Sequence, residues 1–169
     1  MSDAGVEDLG LLVLRVVLGA TYIVHGARKL GWRNPNGYAG FRASIGRRGY
    51  RFAPLWAAAA VGAEIGGGIL AILGLLTPAA GALLVGQGVT IIALVRHKGF
   101  WHDEGGVEYP LLLTAAAFAV AVAGPGALSF DASLGLAFDP VIGLALAGLA
   151  AAGAIAGLLT RRPPAAPTG

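Results

Sequence analysis

The side chains best suited to chemistry in this sequence lie inside or beside long apolar runs. Arg15, Tyr22, His25 and Lys29 recur at intervals that place them on roughly one face of a helix. Glu64 and Gln87 each fall near the middle of a further apolar run, and Glu108 with Tyr109 opens another. Asp131 follows the Gly124-Pro125-Gly126 turn. An ionisable group inside a membrane span costs about 2.5–3.5 kcal/mol on insertion scales, so each one needs a partner or a use. At 1.5 Å per residue, Arg15 lies about 9 Å and Glu64 about 18 Å from the same side of the bilayer, with Gln87 at similar depth. The long arginine side chain narrows that gap. Arg15–Glu64 is therefore the expected buried pair, with Gln87 and Tyr22 beside it, and His25, Lys29, Glu108 and Tyr109 form a second polar cluster at the opposite end.

Three uses of that set stay open at the level of sequence. A neutralised Arg–Glu pair can simply fix helix packing and register, as in a membrane scaffold. The same groups suit a polar pocket for a quinone headgroup or a proton path. They also suit the pathway of a small transporter or lipid-handling protein. Haem is disfavoured, because helix-end histidines such as His25 and His97 more often hydrogen-bond at an interface. His97, His102, Asp103 and Glu104 match no closed metal site, so no metal is expected. Gly105-Gly106 reads as a loop hinge, since no strand precedes it as a phosphate cradle requires. There is no Ser/His/Asp arrangement, HExxH, Walker or GxGxxG signature, and no cysteine for a thiolate relay. As a free-standing enzyme the chain is unconvincing.

The elements that must position these residues are helices in lipid. Of the 169 residues, 56% are hydrophobic and only 12% charged, about half the charge of an ordinary soluble domain. Five apolar stretches, residues 9–26, 55–76, 78–95, 107–124 and 141–160, each approach the ~20 residues needed to cross ~30 Å of hydrocarbon. The first is preceded by acidic residues and followed by no small-residue cleavage site, so it is expected to be a retained span. Thr77-Pro78 is expected to form the short turn between the second and third. The net charge of +3 does not point to nucleic acid, because the basic residues sit in short loops between apolar runs.

Charge placement orients the bundle. Arg28, Lys29, Arg33, Arg42, Arg47, Arg48 and Arg51 follow the first span, Arg96 and Lys98 the third, and Arg161 and Arg162 the fifth. The other side carries Asp3, Glu7, Asp8, Asp131 and Asp139. The positive-inside rule then places the N-terminus, residues 1–8, outside and the C-terminus in the cytoplasm, which requires an odd number of spans. In the loop 31–54, Tyr38, Phe41, Ile45 and Phe52 alternate with arginines, as in an amphipathic segment lying at the inner headgroups. Gly62/Gly66 and Gly153/Gly157 have the small-xxx-small spacing of close helix packing. The tail, residues 161–169, is Pro/Ala-rich and expected to be disordered.

Several of these elements, in order, resemble the DoxX family of small integral membrane proteins. Leu14-Arg15 through Tyr22, then His25-Gly26-Ala27-Arg28-Lys29-Leu30, is similar to its opening span. Glu64-Ile65-Gly66-Gly67-Gly68 followed by Leu73-Gly74-Leu75-Leu76-Thr77 resembles its second. Gly106 to Leu113 and Gly124 to Asp131 resemble its fourth span and exit turn, so the likeness covers residues 9–132. It implies an all-α membrane protein in a bacterial or archaeal cytoplasmic (inner) membrane: a four-helix domain over 9–132 plus a fifth C-terminal transmembrane helix over 140–160. It also implies a protein partner of redox type, as an anchor or accessory subunit of a quinone-linked or redox-stress oxidoreductase complex. A quinone is the cofactor, and a homo- or hetero-oligomer the assembly, that this setting allows. Arg15, His25, Lys29, Glu64, Glu108 and Asp131 are the matching polar positions. The chain departs from the family pattern at Ala127-Leu128, where a basic–aromatic pair is common, and in its fifth span.

Overall fold

The computed structural model describes residues 3–162 and contains helices and loops, with no strand among the described residues. In order these are α1 (Asp3–Leu30), α2 (Gly37–Arg47), α3 (Ala53–Leu73), α4 (Thr77–Val95), a single 3₁₀ turn (Arg96–Lys98), α5 (Glu108–Ala123), the short α6 (Phe130–Ser133) and α7 (Pro140–Leu159). The helices start and stop where local chemistry dictates. Pro lies in the first turn of α3, α4 and α7, where its missing N–H costs nothing. Asp139 caps α7 by accepting from Val141 N, and Gly74 ends α3 in the left-handed conformation at φ 62°. The turn between α3 and α4 is therefore residues 74–76, and Thr77-Pro78 opens α4 instead of forming the turn. α1 begins at Asp3, so residues 3–8 extend the first span as helix, with Glu7 and Asp8 near the positive end of its dipole.

α1 packs along α3, α3 against α4, and α4 against both α5 and α7, which also touch each other. α7 is thus part of the bundle. Burial is inverted relative to a soluble domain: Arg15, Glu64 and Asp131 are at most 1% exposed, whereas Leu149 is 70% exposed and Leu112 64%. Apolar side chains on the outside and charges within identify lipid as the surrounding solvent. Residues 5–30, 53–73, 77–98 and 140–159 are long and apolar enough to cross a membrane. α5, at 16 residues, measures about 24 Å and falls short of a full ~30 Å span by itself. It still runs from end to end, because residues 124–129 complete its path: Ala127 N donates to Asp8 Oδ1 at 2.6 Å, and Leu128 O accepts from Arg15.

Helices gain little from apolar contact in lipid, so close backbone approach matters more. A Cβ on Gly68 would lie 2.7 Å from the Gly19 carbonyl oxygen, and one on Gly81 would lie 2.7 Å from Ala121 N. These contacts bring α1 onto α3 and α4 onto α5. The glycines singled out by spacing behave differently: Gly62, Gly66 and Gly153 face open space, and Gly157 meets the Trp56 ring. Spacing identifies small residues but not which way their helix face is turned.

α2 forms as expected, yet its apolar side is covered by protein instead of lipid. Ile45 is buried with Tyr50 and Ala57, and Tyr38, Phe41, Trp56 and Leu158 pack around them. Of the tail, Arg161 and Arg162 are held: Arg162 N donates to Gly49 O at 2.9 Å, and Arg161 lies over the Tyr50 ring. Residues 163–169, expected to be disordered, lie outside the described residues.

Candidate functional site

The site begins with the direction of side chains on antiparallel helices. Each Cα–Cβ bond tilts toward its own helix N-terminus. α1 runs from the acidic end of the bundle to the basic end, so Arg15 leans toward the acidic end and Lys29, near the far end, leans back toward the middle. α3 runs the other way, so Glu64 leans toward the basic end. Arg15 and Glu64 diverge, whereas Lys29 and Glu64 converge.

Lys29 Nζ accordingly sits 2.5 Å from Glu64 Oε1, and Gln87 Nε2 donates to the same oxygen at 3.0 Å. The expected Arg15–Glu64 pair does not form. Arg15 donates to Leu128 O and lies against Gly74, ten residues and about 15 Å along α3 from Glu64. Gly26 lets α3 come close here: a Cβ at that position would lie 3.3 Å from Glu64 Cβ. Phe41 of α2 covers the pair from the basic end, with Lys29 Nζ 4.8 Å from its ring centroid.

Glu64 has more acceptor capacity than the protein uses. Its Oε2 is buried and has no hydrogen-bond partner among the described residues. A buried carboxylate oxygen left unpaired is costly, so the position favours any group that brings a donor. Beside it lies a cavity of about 500 Å³ between α1, α3, α4, α5 and α7, within the size range of small-molecule sites. Its walls are largely apolar, with Leu83, Ile91, Leu94, Val95 and Leu113 among them. Tyr22, His25, Lys29, Glu64, Gln87, Thr90 and Tyr109 supply polar atoms. The Tyr22 hydroxyl is already committed, donating to Leu84 O at 3.1 Å. Tyr109 stands between two imidazoles, 6.1 Å from His25 and 5.1 Å from His102, centroid to centroid. Tyr50 lines the cavity at the basic end, where burial pushes its hydroxyl above the ordinary tyrosine range against the pull of Arg161 and Arg48.

The two polar groups read from sequence are therefore regrouped. Glu64, Gln87 and Tyr22 share one cavity with His25, Lys29 and Tyr109. Glu108 turns away to the loop, accepting from His102 N at 3.0 Å. Among the described residues no three His, Asp or Glu side chains gather to hold a metal ion.

Arg15 belongs to a different construction. Asp131, expected in an external turn, is fully buried and caps α4: its carboxylate accepts from Leu76 N, Thr77 N and Thr77 Oγ1 at 2.7–2.9 Å. Asp131 thereby ties the loop at the acidic end to the α3–α4 turn, and Arg15 holds the same loop through Leu128 O. The Asp131 link joins residues more than fifty positions apart and left no local signal in the sequence.

A protein-family model described as DoxX matches residues 10–97, just over half of the chain, a stretch that contains Arg15, Tyr22, His25, Lys29, Glu64 and Gln87. No curated protein and no solved structure matches the chain.

Proposed function

The chain belongs to the DoxX family, and from that premise we propose that it is a quinone-binding, non-catalytic subunit serving a redox partner in a cytoplasmic membrane. The observation that carries this reading is Glu64 Oε2, a buried acceptor without a donor beside an apolar cavity of about 500 Å³. A quinol hydroxyl is a donor of the right kind for that oxygen, and Gln87, Lys29, His25 and Tyr109 offer donors to the carbonyls of the oxidised ring. The apolar walls suit a ring and the first part of an isoprenoid tail. Among the described residues that line it the polar groups are ones that bind and orient a ring, which favours a binding role. With the basic end placed on the cytoplasmic side by the positive-inside rule, this ring site opens nearer the inner leaflet.

Trp56 lines the cavity, whereas Trp32 and Trp101 are more than half exposed. In a Trp32→Phe/Trp101→Phe background, a short-chain benzoquinol in phosphatidylcholine nanodiscs is expected to quench Trp56 saturably. Glu64→Gln removes a charged acceptor and should weaken quinol binding by about tenfold or more, with a smaller effect on the quinone. Quenching that does not saturate, or equal affinities in the two proteins, would count against the reading.

A further inference from the structure

A second concavity lies at the basic end and shares His25, Lys29 and Phe41 with the first. It encloses about 520 Å³ between the end of α1 and α2, and Arg28, Lys29 and Arg47 all face it. No Asp or Glu lines it. Among the described residues the single ion pair is Lys29–Glu64, so Arg28 and Arg47 share a basin with no carboxylate to offset them. Both arginines are exposed, and their forked donors match the oxygens of a phosphate.

The level of the basin in the membrane identifies the source of that phosphate. Trp32, Phe52 and Trp101 are 53–63% exposed at the same end of the bundle, as expected of aromatic side chains at the headgroup layer. We propose that the basin binds the phosphate of an anionic phospholipid from the adjoining leaflet. A choline or ethanolamine headgroup carries the same phosphate, but its ammonium would meet the arginines with no carboxylate in the basin to receive it. The selectivity is thus for net negative headgroups. Arg28 and Arg47 line the basin and not the neighbouring cavity, so the preference does not require a bound quinol.

Native mass spectrometry of protein released from nanodiscs of mixed phosphatidylglycerol and phosphatidylcholine tests this without any quinone present. The expected result is one phosphatidylglycerol retained per chain, with a preference of about tenfold or more. Arg28→Gln/Arg47→Gln should abolish that preference while keeping the helicity of the unsubstituted chain, and Arg28→Lys/Arg47→Lys should keep part of it. Arg42→Gln/Arg51→Gln removes the same charge from the same end of the bundle outside the basin and should leave retention unchanged. Equal loss in both glutamine doubles would mean diffuse attraction by the loop and would overturn the proposal. So would an absence of headgroup preference, or saturation by inorganic phosphate with no lipid retained. The Trp56 measurement in phosphatidylcholine alone can fail or succeed separately.

Discussion

Replacing Lys29 with Met leaves Glu64 buried without its cation. Breaking a buried pair by removing one partner costs about 3–5 kcal/mol, most of it the uncompensated charge that remains. Lys29 keeps 20% of its side chain accessible and Gln87 still donates to Glu64 Oε1, so about 3 kcal/mol is expected. The double replacement Lys29→Met/Glu64→Gln removes both charges and should recover most of that loss, giving a coupling energy of about 2 kcal/mol or more. Arg15→Met is expected to be destabilising too, through the loop at the acidic end, yet to combine with Glu64→Gln additively within about 0.5 kcal/mol, because the two sites share no partner. The measurement is reversible unfolding in mixed micelles with increasing dodecyl sulfate, followed by helicity. Additivity between Lys29 and Glu64, or strong coupling between Arg15 and Glu64, would refute the side-chain geometry on which the site rests.

Other outcomes follow from the same contacts. Gly68→Ala should destabilise by about 1–3 kcal/mol, since its methyl group meets the Gly19 carbonyl, while Gly62→Ala should be neutral or mildly stabilising; parallel unfolding curves check both. Asp131→Asn weakens the charged cap on α4 and should cost about 1.5–3 kcal/mol in the same assay while leaving Trp56 quenching intact. The chain has no cysteine, so single introduced thiols report topology cleanly. In intact cells, a membrane-impermeant maleimide should label Ser133→Cys and spare Arg51→Cys, and the reverse pattern would invert the proposed orientation.

The membrane class and the helical architecture were legible in the sequence because they depend on local quantities. Run length, hydropathy and the clustering of Lys and Arg in loops are properties of short segments, and so are the prolines and Gly74 that start and stop helices. The buried polar residues were legible as well, since Arg15, Glu64 and Gln87 stand out against an apolar background wherever they end up. Their partners were not. Depth counted along each helix put Arg15 nearest Glu64, but depth ignores the opposite tilt of Cβ on antiparallel helices, which sends Arg15 to Leu128 and Glu64 to Lys29. The same limit applies to Gly62 and Gly66, whose spacing suggested an interface that the rotation of α3 turns away from its neighbours. Sequence alone thus determined that charges are buried in this membrane protein. Only the packed bundle decided which charges meet, because pairing depends on helix direction and rotation, and neither is encoded in any single segment.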